Sequence, residues 1–185
     1  MQNKLRIIGG EWRSRQINFC DAPGLRPTPV RVRETLFNWL QYDIPSSRCL
    51  DLYSGSGALG FEAASRGAIA VVQVESNSEV CRALKENAIK LAATQIKIVQ
   101  SDVFRFLAEN SAEPFDIIFL DPPYSMNLAG VTCHWLEDKG WLSQGAKIYV
   151  EVDSKQNFLD ELPETWRLLK SKTAGDVAYR LFTTG

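Results

Sequence analysis

The residues best equipped for chemistry lie in FDIIFLDPPY, residues 115–124. An apolar run delivers the chain to a carboxylate, Asp121, and two prolines and Tyr124 follow at once. Proline fixes φ and has no N–H, so Pro122 and Pro123 present carbonyl oxygens in a stiff turn. The Asp121 carboxylate and the Pro122 carbonyl form a pair of acceptors that suits the two hydrogens of an exocyclic amine on a nucleobase. Such an amine is a poor nucleophile because its lone pair is delocalised into the ring. Two acceptors favour its pyramidal form and stabilise the positive charge that develops as the nitrogen attacks an electrophile. Either Asp121 or solvent then takes the proton. Tyr124 offers a flat face for base stacking, worth ~1–3 kcal/mol. His134, the sole histidine, lies apart from these motifs.

A second group surrounds LDLYSGSGALG, residues 50–60. Gly55, Gly57 and Gly60 fit G-x-G-x-x-G at the opening of a helix, where glycine permits a sharp turn and close backbone approach to a ligand. The loop alone does not choose between dinucleotides and methyl donors. Its neighbours are acids: Asp51 inside the preceding apolar strand, Glu75 closing VVQVE, and Asp102 in VQSDVF. Glu75 is placed to accept hydrogen bonds from both ribose hydroxyls. Asp102 is placed to meet an adenine amino group, to cap the next helix, or both. A pyrophosphate prefers a helix N-terminus without an acid beside it, whereas a cation tolerates Asp51 well. S-adenosylmethionine, with its adenosine, ammonium and sulfonium, suits this set.

Positioning these groups requires strands that end at one edge. RCLDLYS, AIAVVQVE, IKIVQS, FDIIFLD and AKIYVEV read as strands, separated by the helical stretches ALGFEAASR, SEVCRALKENAIKLAA, VFRFLAEN and about 127–139. Nearly continuous apolar strands alternating with helices predict an α/β fold with a parallel sheet covered on both faces, ligands binding beyond the strands' carboxyl ends. WRLLKSKT and DVAYRLFTT, joined through Ala174 and Gly175, predict an antiparallel pair at one side of the sheet. Ahead of the body, KLRII and RQINF flank the turn GGEWRS as a hairpin. A helix follows over LRPTPVRVRETLFNWL, with Thr28 as N-cap, Pro29 at the first helical position, and Val32, Leu36, Phe37 and Leu40 at helical spacing. Residues 1–45 are therefore expected to be an extension and residues 46–185 the catalytic body.

The net charge of −1 conceals an asymmetry. Residues 1–33 carry seven Lys/Arg against two acids, and the remainder carries fourteen against twenty. A basic arm on an acidic body fits a polyanion partner, or else a solvated Arg-rich surface. Trp12, in the hairpin turn, either stacks on that partner or folds onto the body. Four scattered cysteines without a CxxC pair predict free thiols and no zinc site. No apolar run approaches the ~20 residues of a membrane span, and the opening residues lack a secretory signal's apolar region, so a cytoplasmic location is expected.

Taken together, LDLYSGSGALG, VVQVE, SD and DPPY resemble the class I methyltransferases that modify amino nitrogens of bases. RIIGGEWRSRQINF, LRPTPVRVRETLFNWL and AGDVAYRLF extend the likeness over nearly the whole chain, to the bacterial 16S ribosomal RNA guanine-N2 methyltransferase family. The resemblance implies a Rossmann-like, seven-stranded, mostly parallel sheet with an antiparallel C-terminal strand. It implies transfer from S-adenosylmethionine to a guanine N2 in 16S rRNA, free or in the small subunit; apart from the resemblance, a monomer without metal is expected. By the same motifs, Asp51, Ser54, Gly55, Gly57 and Glu75 would hold the cofactor, with Asp102 near its adenine. Asp121, Pro122 and Tyr124 would hold the guanine. The helix bearing Arg31, Arg33 and Glu34 would border the cleft, and Arg13 and Arg15 would meet phosphates. The family's usual RPTTDRVRE is RPTPVRVRE here, a change confined to the start of that helix.

Three other readings use the same residues. An adenine-N6 methyltransferase of DNA also employs DPPY, but 185 residues leave no room for a separate sequence-reading domain. A protein-glutamine or small-amine methyltransferase leaves the basic arm without a purpose. A non-catalytic nucleotide-binding module leaves DPPY without one. A cytosine-C5 enzyme would need a cysteine nucleophile, and none stands at this strand end.

Overall fold

The computed structural model describes residues 2–22, 25–109, 113–123, 128–156 and 158–185. A hairpin of β1 (Gln2–Arg6) and β2 (Gln16–Cys20) leads into α1 (Val30–Trp39). The body then alternates β3 (Arg48–Leu52), α2 (Ala58–Ser65), β4 (Ala70–Glu75), α3 (Ser78–Leu91), β5 (Ile96–Gln100), α4 (Val103–Glu109), β6 (Phe115–Leu120), α5 (Ala129–Asp138) and β7 (Leu142–Asp153). A 3-10 turn (Phe158–Glu161) precedes β8 (Arg167–Ala174) and β9 (Val177–Thr183). The seven body strands form one sheet in the order β5-β4-β3-β6-β7-β9-β8. β3 to β7 are parallel, and β9 runs antiparallel between β7 and β8. The expected C-terminal pair is thus present, with its last strand inserted inward and β8 at the edge.

Both sheet faces are covered, which explains why the strands read as nearly continuous apolar runs. Leu50, Leu52, Val74, Ile118, Leu120 and Val150 pack on α4 and α5. Cys49, Val71, Ile117, Phe119 and Tyr149 face α1, α2, α3 and the hairpin. Leu5, Ile7, Trp12 and Ile17 of the hairpin belong to that same cluster, so extension and body share one core. Trp12 is 4% exposed and its N–H donates to Ser65 Oγ, so it folds onto the body and is unavailable for stacking.

The start of α1 differs from the expectation. Pro29, with φ −56° and ψ 149°, is the N-cap, and the helix begins at Val30. Thr28 makes no cap bond; instead its carbonyl accepts from Arg33 Nε. That side chain reaches back five residues and holds the turn from inside.

Polar side chains lock the hairpin in place. Asn87 on α3 meets the edge of β2 like another strand: Asn18 N–H donates to Asn87 Oδ1, and Asn87 Nδ2 donates to Asn18 O. Glu62, wholly buried on α2, accepts from Ile8 N at 2.9 Å, Gly9 N at 2.8 Å and Arg66 Nε at 2.8 Å.

Candidate functional site

Strand order reverses between β3 and β6, where the crevice of a doubly wound sheet opens. β3 ends in the glycine loop and β6 in Asp121-Pro122-Pro123, so topology brings the two motifs side by side. Register then sorts the side chains. Gln73, Asp51, Phe119 and Tyr149 form one row across β4, β3, β6 and β7, on the face toward α1 to α3. With alternation of period two, Asp121 projects to that same face one step nearer the strand ends.

The glycine loop is built on Asp51. This carboxylate is 3% exposed, and its Oδ2 accepts from Gly60 N at 3.1 Å and Gln73 Nε2 at 3.0 Å. Burial pushes its pKa up to about 7, against the opposing pull of the Gln73 and Gly60 hydrogen bonds. Gln73 Nε2 also reaches Gly57 O, so one buried amide ties the acid to the loop. Ser54 Oγ donates to Asp51 O at 2.7 Å, closing the turn beneath. Gly57, at φ +76°, starts α2, and a Cβ there would lie 2.5 Å from Leu84. It is needed both for its conformation and for its lack of a side chain. Gly55, at φ +48°, is the more open of the two, with Leu25 beside it.

Glu75 is a clamp. Its Oε2 accepts from Gly55 N at 3.0 Å and its Oε1 from Asn77 N at 2.8 Å. One carboxylate thus joins the loop to the entry of α3. Asp102 is exposed, and its Oδ1 accepts from Phe104 N and Arg105 N, so it does cap α4. Asp121 is half-buried. Burial, then Glu151, then Asp51 hold its pKa well above the ordinary carboxylate range. Pro122 is buried beside it. Tyr124 lies outside the described residues.

The basic residues divide. Arg31 is exposed on the first turn of α1, at the end that carries Leu25 over the glycine loop. Arg33 is not a phosphate contact. It is 1% exposed, donates to Thr28 O and Arg6 O at 3.1 Å, and lies 3.7 Å from Glu62 Oε2. Helical spacing turns Arg33 inward with Leu36 and Phe37 while Arg31 faces out. Arg13 and Arg15 are exposed, but the hairpin turn packs on the C-terminal ends of α2 and α3, at Ser65 and Lys90. Those ends point away from the crevice. At 1.5 Å per residue the 8 residues of α2 put its end ~12 Å from it, and the 14 residues of α3 put theirs ~21 Å away.

Three residues of the site escaped the sequence reading. Tyr53, at φ +61°, turns the end of β3, and its hydroxyl lies 3.1 Å from Thr132 Oγ1 on α5. Burial pushes this phenol up to about 12. Gln73 is the amide described above. Glu151, 3% exposed on β7, accepts from Tyr149 OH at 2.8 Å and is near enough to Asp121 to raise its pKa. An acid inside IYVEV is the same signal that singled out Asp51 in CLDL, and it was available.

Comparison with known proteins bears on the chain as a whole. The family model for conserved hypothetical protein 95 matches residues 5–183. Ribosomal RNA small subunit methyltransferase D of Escherichia coli strain K12 is 46% identical over 179 residues, covering 97% of this chain and 89% of that one. The chain belongs to this family. The Haemophilus influenzae methyltransferase D is 43% identical over 184 residues, covering 98% and 94%. A solved Escherichia coli structure, named only provisionally as methyltransferase yhhF, is 43% identical and covers 98% of both chains, with a TM-score of 0.88. The Thermus thermophilus 16S rRNA N2 G1207 methyltransferase, solved with AdoMet and guanosine, is 22% identical with a TM-score of 0.75. That likeness is one of fold: a class I methyltransferase sheet, as the sequence implied.

Proposed function

We propose that the protein methylates the exocyclic N2 amine of a guanine in 16S ribosomal RNA, using S-adenosylmethionine. Family membership supports the rRNA methyltransferase class. The observation that carries the chemistry is the place of Asp121 and Pro122, at the strand end next to the glycine loop. S-adenosylmethionine supplies a methyl group on a sulfonium, which leaves as a neutral thioether.

The residues present fit a cation. Asp51, Asp121 and Glu151 stand on or at the ends of adjacent strands; Asp51 is pushed toward its neutral form by burial and Glu75, and Asp121 by burial, Glu151 and Asp51. A positive group entering this crevice relieves the cost of ionising them. In the same way, charge developing on an amine held by Asp121 and the Pro122 carbonyl is stabilised where it appears. Asp121 or solvent then removes the extra proton from nitrogen. Glu75 receives the ribose hydroxyls while holding Gly55, and Asp102 faces the adenine edge from the start of α4. Tyr124 stacks on the target base. Exposed Arg31 at the rim, and Arg13 and Arg15 at the far end, take phosphates of an RNA that spans the protein's length. The protein acts as a monomer, in the cytoplasm where ribosomal RNA is processed.

The test is to incubate the protein with labelled S-adenosylmethionine and, separately, small ribosomal subunits lacking the modification, free 16S RNA, and duplex DNA. Digestion to nucleosides and mass analysis should give N2-methylguanine from one of the RNA substrates. N6-methyladenine from DNA would overturn the substrate while keeping the chemistry.

A further inference from the structure

Beside the amine acceptors stands a second buried carboxylate. β6 and β7 are parallel, with Phe119 opposite Tyr149 and Leu120 opposite Val150. Continued one residue past the end of β6, that register places Asp121 beside Glu151, at the ~5 Å spacing of neighbouring strands and toward the same face. Glu151 is 3% exposed, and Tyr149 OH donates to its Oε1 at 2.8 Å. Tyr149 is itself wedged against Tyr179, whose ring stacks on Trp39 of α1 at 5.6 Å. One carboxylate oxygen of Glu151 is thus held by an aromatic column rooted in the core.

We infer that Glu151 reads the N1–H of the target guanine and so selects guanine over adenine. The inference rests on the guanine-N2 reading above. On guanine's Watson–Crick edge the N1–H and the N2 amine lie side by side, both hydrogen-bond donors. Two carboxylates in register on adjacent strands match that pair, with Asp121 taking the amine and Glu151 the ring N–H. Adenine offers an unprotonated N1 in the corresponding place, and its lone pair is repelled by a carboxylate. A site built to bind a hydrogen-bond donor strongly rejects an analogue that turns a lone pair to the same carboxylate.

Glu151 also raises the pKa of Asp121, consistent with two acids close enough to compete for charge. Binding a base that brings donors to both acids removes that competition. A base that brings a donor to one leaves it in place.

The test uses 2-aminopurine, which keeps the 2-amine but has no N1–H. RNA carrying guanine or 2-aminopurine at the nucleotide that the protein methylates is assayed with the wild type and with Glu151→Gln. The glutamine keeps an oxygen for Tyr149 OH and turns its NH2 to the base, where it opposes N1–H and suits a bare N1. The wild type should prefer guanine by about ten- to a hundred-fold in kcat/KM, the range for a hydrogen bond to a charged group. Glu151→Gln should shrink or reverse that ratio, with S-adenosylmethionine binding reporting that it is folded. A wild type that methylates both bases equally would overturn the inference, and so would a folded Glu151→Gln with an unchanged ratio. Failure of the wild type to methylate guanine at all would instead overturn the functional reading beneath it.

Discussion

Glu62→Gln tests how the extension is attached. The substitution keeps shape and removes one charge from a wholly buried group that Arg33, Arg66 and two backbone N–H groups share. A glutamine has one acceptor oxygen and one NH2, so the NH2 must oppose either the hairpin N–H groups or a guanidinium. Arg33, itself 1% exposed, loses its counter-charge without gaining access to water. Breaking a buried ion pair by removing one partner costs about 3–5 kcal/mol. Arg66 is partly exposed and recovers some solvation, so the lower end, ~3 kcal/mol, is the better figure. For a chain of this length each kcal/mol moves Tm by about 2–4 °C, giving a loss of roughly 6–12 °C. Thermal unfolding followed by circular dichroism measures it, and hydrogen exchange should show the Ile8 and Gly9 amides losing protection first. Arg31→Ala, on the exposed face of the same helix that carries Arg33, is the control and should stay within about 0.5 kcal/mol of wild type. A Tm for Glu62→Gln within about 2 °C of wild type, with Ile8 and Gly9 still protected, would refute the clamp.

Other expectations concern the site itself. Glu75→Ala frees the Gly55 N–H and removes the proposed ribose acceptor, so the S-adenosylmethionine Kd should rise about 10–100-fold by calorimetry. Asp51 has its pKa raised to about 7, and a cation favours its ionised form, so cofactor binding should release a proton below that pH. Affinity should therefore fall as pH drops from about 7 toward 5 and level off above 7; in Asp51→Asn this dependence should vanish. Asp121→Ala should abolish transfer while cofactor Kd stays within about threefold of wild type; a mutant that turned over normally would remove the amine-acceptor role. Reversing Arg13 and Arg15 to Glu should weaken RNA binding and flatten its salt slope, by about 0.7–0.9 for each phosphate that is no longer neutralised. Because both lie a helix length from the crevice, cofactor affinity should not change, and an unaltered slope would make them ordinary surface.

Local signals were strong wherever backbone conformation and chemistry coincide in a few residues. Gly57 at a positive φ, Asp121 ahead of two prolines, and Asp102 at a helix start are dictated by neighbours in sequence, because turns and caps are local structures. Apolar strands separated by amphipathic helices likewise announced a parallel sheet, since only a doubly covered sheet makes strands apolar on both faces. The acid in CLDL was also legible as a buried carboxylate in need of partners.

What could not be read were choices made between distant segments. Arg31 and Arg33 are alike in sequence, two residues apart, yet one faces solvent and the other lies against Glu62, 29 residues away. Trp12 had two plausible fates until Ser65 met its N–H. Asp51 needed Gln73, from the next strand, before its burial made sense. Glu151 gained meaning only when register set it beside Asp121, because strand pairing is decided by the whole sheet and shifting it by one residue would turn every side chain to the other face. Sequence by itself determined the strands, the loops and the class of chemistry they can perform. The tertiary structure decided which charges are buried together, since the cost of burying a charge depends on partners that only folding supplies.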